Sequence, residues 1–395
     1  MLLIRPTPFS DESLESYIMR LAYSNGYIKA SRFWSAIRQT VDKSNLRHIN
    51  IPDRLGSVNP YQAKKSSSLR IKALQYLSTL SNQEPLPLLA LSIFRNANPY
   101  SLNTQSVIQN GKTLPRQFVK LTPPICPDCL RESNYIRQIW SFWPYENCHK
   151  HKKSLISVCS CDESISVFED PIIGACQHCG ISYSELKRVE SNKHHLIVSA
   201  WLANAENTCL PKVNQSHKYG LVLWWLKLNK LNLSEFNVED FVLFFSDWPN
   251  NFHRYLEQKW THFIEFGTKP VEQANFKDMF SDLLLISSKL PSSRFSENII
   301  LPEIYEYFND NVLGNNNEFL SLKINSIEAA ILLNTSTEQI AALVNLGELK
   351  STIRTKSGEL LSLNQYAFEL GDLFFLWQAG FQTEYSNLSI LTSRW

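Results

Sequence analysis

Seven of the eight cysteines lie between residues 126 and 179, where they form closely spaced pairs. One set of candidate metal ligands has the spacing C-x2-C-x18-C-x2-H and consists of Cys126, Cys129, Cys148 and His151. The next set has the spacing C-x-C-x14-C-x2-C and consists of Cys159, Cys161, Cys176 and Cys179. Two such pairs that meet across a loop of roughly 12–20 residues place four soft ligands around a tetrahedral ion. The sequence therefore predicts two bound Zn²⁺ ions.

The same spacing disfavours other chemistry. Disulfides fit poorly, because seven is an odd number and we expect an intracellular, reducing compartment. A catalytic zinc usually has three protein ligands and an open water position, whereas each set here supplies four. The zinc-deaminase pattern fails because His149-Lys150-His151 lacks the required Glu. The sequence contains no H-E-x-x-H, phosphate-loop or G-x-S-x-G motif either, so we predict structural zinc and no enzymatic activity.

The choice of ligands leaves one alternative open. His149 competes with His151 for the first ion, and we prefer His151 because C-x2-H repeats the spacing of the partner pair. His178 lies inside the last C-x2-C pair and is interpreted as a bystander. Cys209 lies apart from both sets, and we expect it to be a buried, small apolar side chain.

Aromatic residues crowd the segment between the two halves of the first set. They are Tyr135, Trp140, Phe142, Trp143 and Tyr145. A small metal-bound unit has little core of its own, so we expect these side chains to dock on a neighbouring domain. The alternative is that some of them contact a partner protein, since Trp and Tyr are enriched at interfaces.

The N-terminal region predicts a helix-turn-helix. In FSDESLESYIMRLAYSNGY, apolar residues at positions 14, 17, 18, 21 and 22 follow the periodicity of an amphipathic helix. Ser10 or Asp11 is its expected N-cap and Asn25-Gly26 its expected end. A second short helix is expected at 30–37, and two helices joined by a tight turn form the skeleton of this motif.

Charge is distributed unevenly along the chain. Residues 1–120 carry 16 Lys and Arg against 6 Asp and Glu, whereas residues 121–395 carry 23 against 31. A basic first part favours a nucleic-acid partner, with uneven surface decoration as the alternative. Amines and hydroxyls at 64–72, at the entry to another expected amphipathic helix, suit phosphate, although a solvated helix start fits equally well. The candidate contacts there are Lys64, Lys65, Arg70 and Lys72.

The C-terminal half is also predicted to be helical. Dense apolar residues in 186–310 predict core helices. In residues 326–363, the sequence predicts a helix capped by Ser326, a three-residue turn and a second helix at 337–346 that ends at Gly347. Two short strands around Lys356-Ser357-Gly358 are expected to follow. This order is typical of a winged helix-turn-helix. The second helix lacks Lys and Arg and carries Glu338, which favours protein contact over base reading. The candidate contacts in the wing are Lys350, Arg354 and Lys356.

We therefore expect a mainly α protein of four domains. They are a basic N-terminal helix-turn-helix domain at 1–120, a tandem zinc-binding module at 121–185, a helical domain at 186–310 and a winged helix-turn-helix-like domain at 311–395. The beginning of the sequence has no signal-peptide pattern, and no apolar run approaches the ~20 residues of a spanning helix. We therefore predict a cytoplasmic protein without membrane contact.

Four features occur together in this chain: the opening RPTPFSDESLESYIMRLA, the two cysteine sets, WPYENCHKH and FFSDWPNNF. Together they resemble the TniQ/TnsD family of transposon target-selection proteins, and the similarity extends over nearly the whole chain. The chain length is most similar to the short TniQ proteins of CRISPR-associated transposons.

The resemblance implies a non-enzymatic adaptor in the bacterial cytoplasm. Short TniQ proteins bind an RNA-guided Cascade effector with its crRNA, at the end that carries the crRNA-processing and adjacent backbone subunits. They recruit the AAA+ regulator TnsC, so target DNA is contacted indirectly, and they form head-to-tail homodimers. The alternative is a TnsD-like protein that binds a fixed attachment site in DNA. The resemblance carries over the eight zinc ligands by spacing, and no contact residues.

Overall fold

The computed structural model describes residues 2–43, 49–52, 54–63, 67–83, 85–168, 174–205, 208–313, 317–353 and 362–382. They form two compact units, Met1–Leu210 and Pro211–Trp395. Helices predominate in both units, which confirms the predicted mainly α class. The predicted zinc-binding segment lies in the first unit together with the N-terminal helices, and the predicted boundaries at 120, 185 and 310 stay predictions.

The first unit combines helices with short strands. Its helices are α1 (Leu14–Ser24), α2 (Ala30–Lys43), α3 (Ser67–Ser81), α4 (Pro85–Leu91), α5 (Pro127–Glu132) and α6 (Lys193–Leu202). Its strands are β1 (Ile93–Arg95), β2 (Ser106–Gln109), β3 (Lys112–Pro115), β4 (Asn147–Cys148) and β5 (Lys153–Ser154). β1, β2 and β3 form an antiparallel sheet in that order, and β4 pairs with β5.

Helix α1 has the predicted apolar face but a different N-cap. Its cap is Ser13, whose hydroxyl accepts a hydrogen bond from the backbone N–H of Ser16 at 3.1 Å. The prediction of Ser10 or Asp11 is wrong because the Asp11 carboxylate accepts bonds from a distant segment instead. The helix ends at Asn25 and Gly26 as predicted, and the φ of +80° at Gly26 is one that glycine adopts without strain.

Helices α1 and α2 pack through their apolar faces. Tyr17 and Leu21 of α1 are fully buried in one cluster with Phe33 of α2. Helix α2 continues to Lys43, six residues beyond its predicted end, because the apolar face continues to Val41. Two packed helices joined by a short connection are therefore present, and the second is longer than predicted. Their assignment as a helix-turn-helix motif stays a prediction.

The second unit is almost entirely helical in its described residues. Its helices are α7 (Gln215–Leu228), α8 (Val238–Ser246), α9 (Asn250–Phe266), α10 (Phe276–Phe280), α11 (Leu283–Ser287), α12 (Leu301–Leu313), α13 (Asn317–Leu320), α14 (Ser326–Leu332), α15 (Thr337–Asn345) and α16 (Leu370–Gln382). Strands β6 (Lys323–Asn325) and β7 (Tyr366–Glu369) pair antiparallel. Trp224 of α7 is fully buried, its ring lies 5.8 Å from that of Phe252, and its Nε1 donates to Ser287 Oγ at 2.9 Å. The dense apolar segments are thus core helices, as predicted.

The C-terminal helix pair differs from the prediction at its edges. The N-cap of α14 is Asn325 rather than Ser326, because the Asn325 amide oxygen accepts from the backbone N–H groups of residues 327 and 328. Helix α15 ends at Asn345, and Gly347 follows with a φ of +75°. The two predicted wing strands span residues 349–363. Residues 349–353 and 362–363 of this range do not form strands, and the predicted turn Lys356-Ser357-Gly358 lies outside the described residues. The strand that follows, β7, pairs with β6 instead.

Across the described ranges, no helix combines the length and the apolar composition that a bilayer requires.

A buried carboxyl group predicts a pH dependence of the second unit. Glu328 is buried beside the α14 N-cap, and burial raises its pKa from 4.5 to about 7. Between these values the folded protein keeps the proton that the unfolded chain releases, so the free energy of unfolding falls as pH rises through this window. Glu328→Gln cannot ionise, and its stability relative to wild type should therefore rise across the window by up to roughly 3 kcal/mol.

Urea denaturation at pH values from 4.5 to 8 measures this difference. Glu318→Gln, which removes an exposed carboxylate of α13, is the matched control and should show a constant difference from wild type. A Glu328→Gln difference that does not change with pH would contradict the prediction.

Candidate metal centres

The first predicted ligand set comes together at one point of the first unit. His151 Nδ1 lies 3.5 Å from Cys126 Sγ and 3.4 Å from both Cys129 Sγ and Cys148 Sγ. The sulfurs of Cys129 and Cys148 are 3.6 Å apart. A tetrahedral zinc with Zn–S bonds of about 2.3 Å and Zn–N bonds of about 2.0 Å keeps its ligand atoms about 3.5–3.8 Å apart. The set therefore fits a four-coordinate metal ion.

The two competing histidines have different surroundings. His151 directs Nδ1 to the three sulfurs, and its Nε2 lies 2.8 Å from Glu132 Oε1. A carboxylate on the second ring nitrogen is the usual outer partner of a zinc-bound histidine and fixes the ring orientation. His149 instead contacts the Tyr145 hydroxyl through Nδ1 at 2.8 Å. The geometry places His151 with the sulfurs, and His149 apart from them.

Three thiols at this separation require a cation if all are to ionise. Hydrogen bonds with Cys129 and Cys148 hold the pKa of the Cys126 thiol above its ordinary value. The pKa of Cys148 is lowered, because its sulfur is stabilised by hydrogen bonds with Cys126 and Cys129. One thiolate is thus favoured at the expense of its neighbours. A divalent ion supplies the positive charge that would let all three act as thiolate ligands.

The second set also converges, in a more open position. Cys159 Sγ lies 3.6 Å from Cys179 Sγ, and Cys161 Sγ lies 3.8 Å from Cys176 Sγ. All four sulfurs are within 4.8 Å of one another, which again fits a tetrahedral ion. Cys179 is exposed and Cys161 is half-buried, whereas every cysteine of the first set is buried. His178 is exposed and does not join this group.

The segment between the two halves of the first set binds the N-terminal segment. The Ser13 N–H donates to the Ile136 carbonyl at 2.9 Å, and the Gln138 N–H donates to the Asp11 carbonyl at 2.8 Å. The Ile136 N–H donates in turn to Ser16 Oγ at 2.9 Å. Residues 135–138, which we call the docking segment, are therefore bonded backbone to backbone with the start of α1.

Arg137 connects this contact to the metal site. Its guanidinium pairs with the Asp11 carboxylate and donates to the Tyr135 hydroxyl at 2.8 Å, and its charge interacts with the Cys129 sulfur. Burial lowers the pKa of Arg137, but the Cys129 sulfur and the Asp11 carboxylate outweigh it and hold the pKa above its ordinary value. A cation beside a zinc-bound thiolate offsets the negative charge that three thiolates leave on the site.

An ion pair between a buried carboxylate and a half-buried arginine lies next to the docking segment. Glu12 is fully buried and accepts from Arg20 Nε and Nη2, each at 2.7 Å. The Arg20 guanidinium lies 4.6 Å from the centre of the Phe9 ring, which stacks on Tyr135 with ring centres 4.4 Å apart. The opening residues are therefore bonded to one another and packed on the docking segment.

A further contact joins the two metal sets. Arg188 donates to Asp128 Oδ1 from Nε at 2.8 Å and from Nη2 at 2.7 Å. Arg131 donates to the Ser184 carbonyl at 2.8 Å. Asp128 and Arg131 lie on α5, and the other two residues follow the second set in the chain. The chain that leaves the second set is therefore tied to the helix that supplies ligands to the first.

This arrangement belongs to a known domain type. Residues 3–155 match the TniQ family model. The chain carries a TniQ domain. The matched range contains α1 to α5, every strand of the first unit and the whole first ligand set, and it ends before the second set. No curated protein matches the chain. The TniQ domain associates the chain with target selection in DNA transposition and confirms the resemblance at family level.

The aromatic residues of the TniQ domain lie mainly in its core. Four of the five predicted docking residues are buried, namely Tyr135, Trp140, Phe142 and Tyr145. Trp143 is half-buried, and its ring centre lies 4.9 Å from that of Phe118. Packing within the chain therefore accounts for these side chains, as predicted.

The candidate contact residues are scattered. Lys64, Lys65, Arg354 and Lys356 lie outside the described residues. Arg70 is buried on α3, where its guanidinium donates to the Ser57 carbonyl. Lys72 and Lys350 are exposed. No described contact tests their proposed binding role, so that role stays a prediction.

The prediction of a buried Cys209 is wrong, because this side chain is exposed. Cys209 lies in the connection between α6 and α7, where the neighbouring Leu210 is the buried residue.

The sequence reasoning missed the polar side of the TniQ domain. Asp11, Glu12, Arg20 and Arg137 join the opening motif to the docking segment, and none of them was predicted as a structural contact. A weak signal exists in the sequence, since an acidic pair precedes α1 and an arginine follows eight residues after Glu12. Such charges usually indicate a solvated helix start. Their partners across more than 110 residues cannot be read from local spacing.

The different surroundings of the two histidines give a direct prediction. We expect wild-type protein to bind two zinc ions per chain, because two complete ligand sets are present. His151→Ala should retain the second ion only, whereas His149→Ala, the matched control, should retain both. Elemental analysis of purified protein by mass spectrometry measures the ratio. Loss of an ion from His149→Ala, with both ions retained in His151→Ala, would refute the assignment.

Proposed function

We propose that this chain is a non-enzymatic target-selection adaptor for DNA transposition, which links an RNA-guided Cascade effector to the transposition machinery through the AAA+ regulator TnsC. The TniQ domain is the observation that carries the proposal. Within it, the docking segment lies between the two halves of the first ligand set and is hydrogen-bonded to the opening motif. An adaptor needs such a rigid body to hold a partner surface in a fixed geometry.

The metal chemistry supports a structural role. Each site has four protein ligands at tetrahedral separations, so neither leaves a position for a reactive water. The three cysteines of the first set are buried. Zinc in such a site stabilises the fold, and this supports a connector rather than a hydrolase.

The uneven distribution of charge supports a different kind of partner for each end of the chain. Residues 1–120 have a net charge of +10, which suits an RNA-bearing effector, and residues 121–395 have a net charge of −8. Helix α15 carries no Lys or Arg and exposes Glu338, so it offers no phosphate neutralisation to DNA. Protein contact is the better use of this helix. We further propose that the protein acts in the bacterial cytoplasm as a head-to-tail homodimer and reaches target DNA through the effector.

Co-purification tests the adaptor proposal. The tagged chain is co-expressed with the effector subunits, crRNA and regulator encoded beside it. We expect the tag to retain the effector with its crRNA, and to retain the regulator when ATP is present. Cys129→Ser is the control, since loss of the first ion should unfold the docking segment and abolish retention. Absence of the effector from wild-type eluates would contradict the proposal.

The rival is a TnsD-like protein that recognises a fixed attachment site by itself. Gel-shift assays of the purified chain with duplexes from that site and with scrambled duplexes distinguish the two. The adaptor proposal expects no preference for any one duplex. Tight, salt-sensitive binding to a single sequence without the effector would favour the rival.

A further inference from the structure

A polar groove of about 410 Å³ lies at one end of the sheet formed by β1, β2 and β3. Its polar lining consists of two arginines and of short amide or hydroxyl side chains, namely Arg95, Arg116, Asn96, Asn98, Gln105 and Ser106. None of the described residues that line it is an Asp or a Glu. The groove therefore has one sign of charge.

The two arginines are held in place by hydrogen bonds to the residues around them. Arg95 lies on β1 and donates from Nε to the Tyr61 carbonyl at 3.0 Å, and from Nη2 to the Ala63 carbonyl. Arg116 follows β3, and its Nη1 donates to Gln105 Oε1 at 2.7 Å. The Arg116 N–H also donates to the Gln105 carbonyl at 2.9 Å, which fixes the two sides of the groove relative to each other.

Both arginines have N–H groups that are available to donate hydrogen bonds to a ligand. Among the described residues, neither forms an ion pair, and Arg95 Nη1 and Arg116 Nε and Nη2 donate to no protein group. Both side chains are exposed. A guanidinium is always charged, and its fork of N–H groups matches two oxygens of one phosphate. Two such groups on a fixed scaffold suit successive phosphates of a chain.

The surrounding sequence has the same charge sign. Residues 85–127 contain four basic residues, Arg95, Lys112, Arg116 and Lys120, and no Asp or Glu. An anion that approaches this sheet therefore meets no carboxylate of the segment, and the focused positive potential favours its association.

We propose that this groove binds the phosphodiester backbone of single-stranded RNA. The amides of Asn98 and Gln105 can both donate and accept hydrogen bonds, which suits the ribose 2′-hydroxyl that DNA lacks. No aromatic side chain is among the described lining residues, so the contact does not depend on base stacking or base identity. The inference rests on the proposed function in one respect: the guide of the effector is the RNA that would reach this groove.

Fluorescence anisotropy of the purified full-length protein tests the groove. The probes are a labelled 20-nucleotide oligouridylate, an oligothymidylate of the same length and a 20-base-pair DNA duplex, each measured between 50 and 200 mM salt. We expect the RNA to bind most tightly, with Arg116→Gln weakening it several-fold. Each arginine removed should lower the slope of log K against log salt by about 0.7.

Lys112→Gln is the matched control, because Lys112 lies on the same sheet but does not line the groove. It should change RNA affinity by less than about twofold, since it removes a cation without removing a phosphate contact. Arg95→Gln with Arg116→Gln should weaken RNA binding by at least about tenfold. If Arg95→Gln disturbs folding because its bonds to the Tyr61 and Ala63 carbonyls are lost, the RNA affinity of Arg116→Gln alone tests the proposal. Zinc content and the thermal transition verify that each variant is folded.

Any one of three results would overturn the proposal. They are equal RNA affinity of wild type and Arg116→Gln, tighter binding to either DNA probe than to RNA, and no RNA binding at 50 mM salt. Its failure is distinguishable from failure of the adaptor function. If wild-type protein retains the effector but binds no free RNA, only the proposal for the groove is refuted. If RNA binding depends on Arg116 but the protein retains no effector, the adaptor function is refuted and the proposal for the groove stands.

Discussion

The N-terminal helices depend on a short segment of chain that the first metal site holds in position. The docking segment, residues 135–138, lies between the two halves of the first ligand set. It forms two backbone–backbone hydrogen bonds with the residues before α1, and one of its backbone N–H groups donates to Ser16 Oγ. Arg137 adds an electrostatic contact, because its guanidinium pairs with the Asp11 carboxylate and its charge interacts with the Cys129 sulfur. The loop that carries the docking segment therefore joins the first ligand set to α1, although more than 100 residues separate them in sequence.

This constraint explains what a bound ion would contribute here. The docking segment is followed only by a turn of 3₁₀-helix at Gln138–Ser141, and β4 and β5 are two residues each. Such short elements have little stability without further support. Closing the loop between Cys129 and Cys148 through one ion removes much of its conformational freedom before the opening residues dock. The pair of Glu12 and Arg20 then has a fixed aromatic surface to pack against.

Sequence reasoning succeeded where the determining residues are close together. Both ligand sets follow from C-x2-C, C-x-C and C-x2-H spacing, and the apolar face of α1 follows from a repeat of 3.6 residues. It failed where distant partners decide. Asp11 was read as a helix cap, but its carboxylate is taken by Tyr135 and Arg137. The three-stranded sheet was not predicted, because its strands are only three or four residues long. The pairing of β6 with β7 joins residues more than 40 positions apart, which no local pattern encodes.

Hydrogen exchange of the α1 amides, Leu14–Ser24, tests the dependence of the N-terminal helix on the first metal site most directly. The account predicts that His151→Ala, which removes the first ion, increases α1 exchange by at least about tenfold relative to wild type. Cys179→Ser, which disrupts the exposed second set, should leave α1 exchange unchanged. Full α1 protection in a His151→Ala protein shown to have lost its first ion would contradict the account.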